Sequence, residues 1–370
     1  MKLRTCILCI IASVVIAGTA SALSRPEVEF KIFQFPRDMM PRIDGEIEDW
    51  SMVPESYVYG TDQIRDTVDG HGEMDPQDLD VRVTVGWVKD LNRLYFLYEA
   101  YDDFWDMRFS PIGYSNDVFE IAVDGDLSGG QFISNAQIDD PVEGQITFSG
   151  VHAQNYHIFT PPINNDWCLL WGCQPWIKYF PYANYAYSYD VKHGESGKLV
   201  LEFWITPFDY APFEGPENAI ESDLTEGDLI GLGWSILEFD GGKRDGHVNL
   251  AHNTRMVSDA SYLCGFRLMP LEQQFVKPIE AKWSFKVVDM DERKVAFIDE
   301  SVGDITSWMW DFGDGSVSTE QHPVHVYADP GDTIYRGSVD TPGLYTVVTL
   351  EVTGPAGSSK TSKFWDVQVK

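Results

Sequence analysis

Between Tyr156 and Tyr189 the chain carries eleven aromatic residues in 34 positions, Trp167, Trp171 and Trp176 among them, interleaved with Asn164, Asn165, Asp166, Gln174 and Asn184. Rings and amides in one stretch suit one kind of chemistry. A pyranose has a face of C–H groups that packs on an aromatic ring and a rim of hydroxyls that need planar polar partners. Exposed Trp or Tyr beside amide, carboxylate or guanidinium groups is therefore the arrangement that grips a sugar. The competing reading of the same stretch is an aromatic-lined second core under a long loop. Trp105, which follows Phe104 after Asp102-Asp103, carries the same two readings.

Other residue sets point to metal, redox or catalytic chemistry. Asp124, Asp126, Ser128 and Gly129 form an acidic loop of calcium-binding type, and an Asp-Gly turn capped by its own side chains is the alternative. Calcium is the one cofactor suggested, and none is required. Cys168 and Cys173 are five apart, so outside the reducing cytosol a short loop-closing disulfide is expected, while Cys264 reads as a buried apolar residue. His152 and His157, like His247 and His252, are five apart, a spacing that in strands puts the two members of a pair on opposite faces. No Gly-x-Ser-x-Gly, His-Glu-x-x-His or phosphate-binding glycine loop occurs. With 58 acidic side chains some carboxylates must be neighbours, so their presence does not argue for a glycosidase pair.

The charge narrows the partners. Fifty-eight acidic against 27 basic residues give a net charge of −31, spread along the chain, and such a field repels nucleic acid and anionic lipid. A hydrophobic content of 44% with 12 Trp, 17 Tyr and 21 Phe marks a folded chain rather than an acidic disordered one. Lys2 and Arg4 precede an apolar run from Cys6 to Gly18 and then Ala20-Ser21-Ala22, so residues 1–22 read as an export signal cleaved after Ala22. The run is too short to span a bilayer, and no later stretch is long and apolar enough. The mature chain is thus expected to be secreted, extracellular or at the cell surface, and not membrane-embedded.

The elements that must position these residues are strands. Val81–Val85 and Arg93–Ala100 alternate apolar and polar side chains around a turn at Lys89-Asp90-Leu91-Asn92. Val118–Val123, Gln145–Phe148, Lys198–Ile205, Leu229–Glu238 and Leu263–Leu268 continue the pattern, whereas 206–228 reads as a long loop or short helix. Helical periodicity is nearly absent, so an all-β protein of sandwich type is expected. A connector from Leu271 through Pro278 separates a strongly acidic region, 23–279, from a less acidic one, 280–370.

In the second region stand Trp308-Met309-Trp310-Asp311-Phe312-Gly313-Asp314-Gly315, then His325-Val326-Tyr327, then Gly343-Leu344-Tyr345 running on to Val352. Trp310 and Phe312 alternate inward, Asp314-Gly315 supplies a tight turn, and Tyr345–Val352 is an alternating strand. That order resembles the PKD domain family. The resemblance implies an immunoglobulin-like sandwich acting as a spacer or adhesive module. Ala328–Asp340 stands as an insertion relative to that family. Asp311 and Asp314 admit a calcium reading or a turn-stabilising one.

Three strings in the first region come in a characteristic order: Pro41-Arg42-Ile43-Asp44-Gly45 leading to Trp50, Leu94–Ala100 ending in Tyr101-Asp102-Asp103, and Asn116-Asp117-Val118-Phe119-Glu120 closing on Asp124-Gly125. With Leu232–Ile236 and Gly265–Leu268 they resemble the family 9 carbohydrate-binding modules and the wider DOMON-like sandwiches over roughly residues 38–270. The resemblance implies sugar binding at a cleft of the sandwich, with Glu120 bonding hydroxyls and Tyr114, six residues earlier, standing where the family usually has Trp. Three functions follow as expectations: a non-catalytic carbohydrate-binding protein, a polysaccharide hydrolase or lyase, and a haem-binding electron carrier. The last needs axial ligands that nothing in the chain pairs with Met107.

Overall fold

The computed structural model describes residues 23–70, 72–107, 116–133, 149–163, 166–172, 174–276, 278–328 and 344–369. The chain divides into two compact units, Met1–Pro270 and Leu271–Lys370. Ile279, at the end of the expected connector, packs against the core of the second unit. Among the described residues there is no α-helix; short 3-10 turns and strands account for the regular structure. Both units are β-sandwiches, so the protein is all-β.

The first unit is built from β1 (Phe30–Gln34), β2 (Leu79–Val88), β3 (Leu91–Asp102), β4 (Val118–Asp124), β5 (Gln154–Ile163), β6 (Asp166–Leu170), β7 (Ala183–Tyr189), β8 (Gly197–Ile205), β9 (Leu229–Asp240), β10 (Lys243–Asn249) and β11 (Cys264–Leu268). One sheet runs β6-β5-β4-β9-β11-β1, with β10 beside the distal half of β9; the other runs β1-β2-β3-β8-β7. The first strand belongs to both. Phe30–Ile32 pair with Phe266–Leu268, and the next residues, Phe33 and Gln34, pair with Gly86 and Trp87. A strand that changes sheets closes the sandwich along that side.

Side-chain alternation decides which face of each strand enters the core. In β2, Leu79, Val81, Val83 and Val85 point inward while Asp80 and Arg82 are exposed. Across the sandwich Tyr98 of β3 stacks on Phe119 of β4 with centroids 4.2 Å apart. The Ile-Asp-Gly string is fastened by a buried carboxylate: Glu202 accepts from the Gly45 N–H at 2.6 Å and from the Trp50 indole at 2.7 Å. Gly45 has φ +86°, and a Cβ there would lie 3.1 Å from the Tyr187 carbonyl oxygen, so only glycine suits this turn.

The expected strands of this unit appear with small changes of boundary, except Gln145–Phe148, which lies outside the described residues. The aromatic segment 154–189 differs from the expectation of a loop or second core. It forms three strands, β5, β6 and β7, at one edge of each sheet. Bulky rings set against β-branched neighbours favour extended backbone, and the irregular pairing between Ile158 and Ile163 accommodates Pro161 and Pro162.

The second unit has sheets β12 (Trp283–Asp289), β13 (Lys294–Asp299) and β16 (Val324–Val326), and β14 (Ser307–Asp311), β15 (Val317–Ser318), β17 (Leu344–Gly354) and β18 (Gly357–Val369). Its core gathers Trp283, Phe297, Trp310, Phe312, Tyr327 and Leu350. Trp310 and Phe312 point inward as their spacing predicts. Asp311 accepts from the Gly313 N–H at 2.9 Å and Asp314 from the Ser316 N–H at 3.0 Å, so both carboxylates serve the turn. The insertion lies outside the described residues, apart from Ala328.

Candidate functional site

Glu120 stands in the middle of β4 on the face opposite Phe119 and Ile121, which enter the main core. Strand register sets His157 of β5 beside it on one side and Ser235 of β9 on the other. Its Oε1 accepts from Asn155 at 3.0 Å and its Oε2 from the Ser235 hydroxyl at 3.0 Å. The His247 ring of β10 reaches that same hydroxyl at 3.4 Å. Val118, Phe159, Leu237 and Phe239 form an apolar cluster next to this polar row.

His157 couples the row to a ring. Its Nδ1 lies 3.3 Å from the Trp171 indole nitrogen and 3.6 Å from Glu120 Oε1. A neutral imidazole protonated at Nε2 accepts from Trp171, and a protonated one faces the carboxylate with opposite charge. Burial pushes the Glu120 carboxyl up, but the hydrogen bond and charge of His157, with help from His247 and Asn155, bring it below the ordinary carboxylate range. His247 is held below the ordinary imidazole range, chiefly by burial. The row therefore holds a buried carboxylate, 3% exposed, behind a half-buried indole.

The other expected sugar-gripping rings separate. Trp171 and Trp176 keep part of their surface open, Trp171 against His157 and Trp176 edge-on to Tyr182 and Phe208. Trp167 and Trp105 do not fit the expectation. Both are 1% exposed, so neither can stack on a ligand. Trp167 stacks on Tyr185 at 5.2 Å, touches Phe203 across the sandwich and donates to the Lys178 carbonyl at 3.0 Å. Trp105 donates to the Gly197 carbonyl at 3.0 Å. Each indole has its one polar atom satisfied internally, which is why the core takes it. Tyr114, Asn164 and Asn165 lie outside the described residues. Cys168 is fully buried in the core and has no disulfide partner among the described residues; Cys173, with which it is expected to pair, lies outside them.

In the Asp124–Gly129 loop, Asp124 accepts from the Ser128 and Gly129 backbone at 3.2 and 2.8 Å, and Asp126 from Ser128 at 3.0 Å. Those bonds are what the capped-turn alternative requires. Carboxylates gather elsewhere. Asp102 at the end of β3, Asp117 just before β4 and Glu238 in β9 bring ligand oxygens within 4.8 Å of one another, all three buried. Asp78, Asp103, Asp240 and Asp245 extend the group toward the surface. Burial first, and then repulsion between neighbours, pushes Asp102 up to about 7, Glu238 up to about 9 and Asp117 well above the usual range.

His157, His247, Asn155, Ser235 and Glu238 were not singled out as site residues from sequence. A polar residue within an otherwise apolar strand, as in Leu229–Asp240, is the signal that could have marked Ser235 and Glu238.

Residues 287–339 match the family model of the PKD domain. Among solved structures, a family 9 carbohydrate-binding module from Caldicellulosiruptor kristjanssonii in complex with cellotriose is 15% identical, over 68% of this chain and 98% of that one, with a TM-score of 0.41. The same kind of module from that organism in complex with glucose gives 14% identity over 68% and 100% and a TM-score of 0.43. The PKD1 domain of the Vibrio cholerae metalloprotease PrtV is 26% identical over 25% of this chain and 99% of that one, with a TM-score of 0.19. No curated protein matches the chain.

Proposed function

We propose that this is a secreted, non-catalytic carbohydrate-binding protein, with the sugar site at the Glu120 row of the first unit and the PKD unit as a spacer or adhesion module. The observation that carries the reading is the partly open Trp171 ring, held through His157 in front of the buried Glu120 carboxylate that Asn155 and Ser235 brace. A partly open indole is the surface on which the C–H face of a sugar packs, and the buried carboxylate behind His157 fixes the ring's place. The ordered family strings support the same reading. The acidic surface suits a neutral glycan rather than an anionic one.

A broad glycan array is the decisive test, with cellotriose and glucose among the first ligands. Binding without shortening of the bound polysaccharide is expected; an array without a hit, or a shortened polymer, overturns the reading. Export is tested separately. N-terminal sequencing of the secreted protein should begin at Leu23, and retention of Met1 speaks against cleavage.

Glycan affinity should hold steady as pH falls from neutrality to about 5. Glu120 has its folded value below its usual 4.5, so its charge, and the stability that goes with it, is present above 4.5 and lost only as pH drops through the lower folded value. His247, held below its usual 6.5, takes up its proton at a lower pH than an ordinary imidazole does. Calorimetric titration across pH checks this, and a steep loss centred near the ordinary imidazole value would point to another group.

A further inference from the structure

Trp176 takes no part in the Glu120 row. Its indole donates to the Pro212 carbonyl at 3.0 Å, and its ring meets Tyr182 and Phe208 edge-on with centroids 5.1 and 5.2 Å away. With its one polar atom bonded inside the protein, the part of the ring that stays open offers an apolar surface alone. Exposed rings gather around it. Among the described residues the exposed aromatic side chains are Tyr179, Phe180, Tyr189, Tyr210 and Phe213, with Phe180 the most open at 81%, whereas the exposed large apolar side chains of the second unit are Val, Ile or Met. Tyr179 and Phe180 follow Trp176 in a turn closed by the Tyr179 N–H on the Trp176 carbonyl at 3.3 Å and by the Tyr182 N–H on the Tyr179 carbonyl at 2.8 Å. Phe213 is the residue after Pro212, so the indole bond sets it beside Trp176. Ile177 and Ala183, each 2% exposed, anchor the turn in the core. The rings thus stand on hydrogen-bonded backbone, and little freedom is left to lose when they meet a ligand.

Charge separates this neighbourhood from the rest of the chain. The whole carries −31, but from Trp167 to Tyr189 the only charged side chain is Lys178, which is paired with Asp166 at 2.6 Å. From Tyr210 to Phe213 there is none. An uncharged aromatic surface within an acidic field suits an uncharged partner with apolar faces, whereas a second copy of the chain brings the same negative field and is repelled.

We propose that Trp176, Tyr179, Phe180 and Phe213 form a second carbohydrate contact, a stacking platform for an uncharged, insoluble polysaccharide. It rests on the carbohydrate-binding reading of the chain but not on the Glu120 row. An insoluble neutral polysaccharide presents rows of pyranose C–H faces, to which several rings can attach at once, and rings carried on one fixed turn add their contributions.

The full chain is sedimented with microcrystalline cellulose, chitin and linear mannan, and depletion isotherms give the affinity. Retention on at least one of the three is expected. The double variant Phe180→Ala, Phe213→Ala should weaken it about tenfold, a factor of roughly three for each ring. Both side chains are exposed, so the variant should melt with the wild type, and it should bind the soluble glycan found on the array with unchanged affinity. A wild type retained on none of the three polymers, or retention that the double variant keeps in full, overturns the platform and leaves the Glu120 row untouched. An equal loss of affinity for the soluble glycan merges the patch with that row and overturns it too. An array without a hit, beside polymer retention that the double variant loses, removes the row and upholds the platform. Analytical ultracentrifugation covers the competing occupant: a wild-type dimer that the double variant abolishes makes the patch a contact between copies and overturns the proposal.

Discussion

Glu120→Gln should abolish most glycan binding while leaving a folded protein. The amide has nearly the shape of the carboxylate, so Asn155 and Ser235 keep a neighbour of the right size, but the charge that holds His157, and through it the Trp171 ring, in place is gone. Removing one member of a buried, hydrogen-bonded charged set costs roughly 2–5 kcal/mol, which is about thirtyfold to several thousandfold in affinity. Ser235→Ala removes one neutral donor and should cost about 1 kcal/mol, or roughly fivefold. Calorimetric titration with whichever glycan the array identifies measures both. An affinity for Glu120→Gln within about threefold of wild type would move the site away from this row.

The second large effect separates two tryptophans four residues apart. Trp167→Ala empties a fully buried position between the sheets and strands the Lys178 carbonyl, so it should destabilise the first unit by about 3–5 kcal/mol. For a unit of this size that lowers the melting temperature by roughly 6–20 °C. Trp171→Ala removes a ring that is already partly open and should change stability little. It should instead weaken sugar binding by roughly 1–3 kcal/mol, about five- to a hundredfold. Differential scanning calorimetry and titration, run on both variants, test the pair. If Trp167→Ala melts as the wild type does and Trp171→Ala unfolds the unit, the two rings have been given each other's roles.

Strand positions in the first unit were legible because period-two alternation and turn residues are local properties. β3 and β9 were expected within two residues of where they lie. The inward placement of Trp310 and Phe312 was legible for the same reason, as extended backbone from β14 into the residue after it puts both on one face. The aromatic segment was misread in part because ring content does not distinguish an open face from a core. Whether Trp167 stacks on a sugar or on Tyr185 depends on what the opposite sheet offers, and Phe203 occupies that space.

The site itself shows how far local reading extends. Glu120 was marked by its place in an ordered string, but its environment was not. His157 and His247 belong to pairs whose fivefold spacing gave no reason to expect them near a common residue, yet strand pairing brings one to the carboxylate and the other to its Ser235 partner. Composition, charge, the period of the strands and the turn chemistry of the PKD motif are properties of residues and their immediate neighbours, and the sequence alone determined those. Convergence is not. Asp102 ends β3, Asp117 immediately precedes β4 and Glu238 lies in β9, and only register and sheet order decide that their oxygens share one buried space. A one-residue slip in register would turn each of them to the opposite face, which is why no spacing along the chain could have announced the cluster.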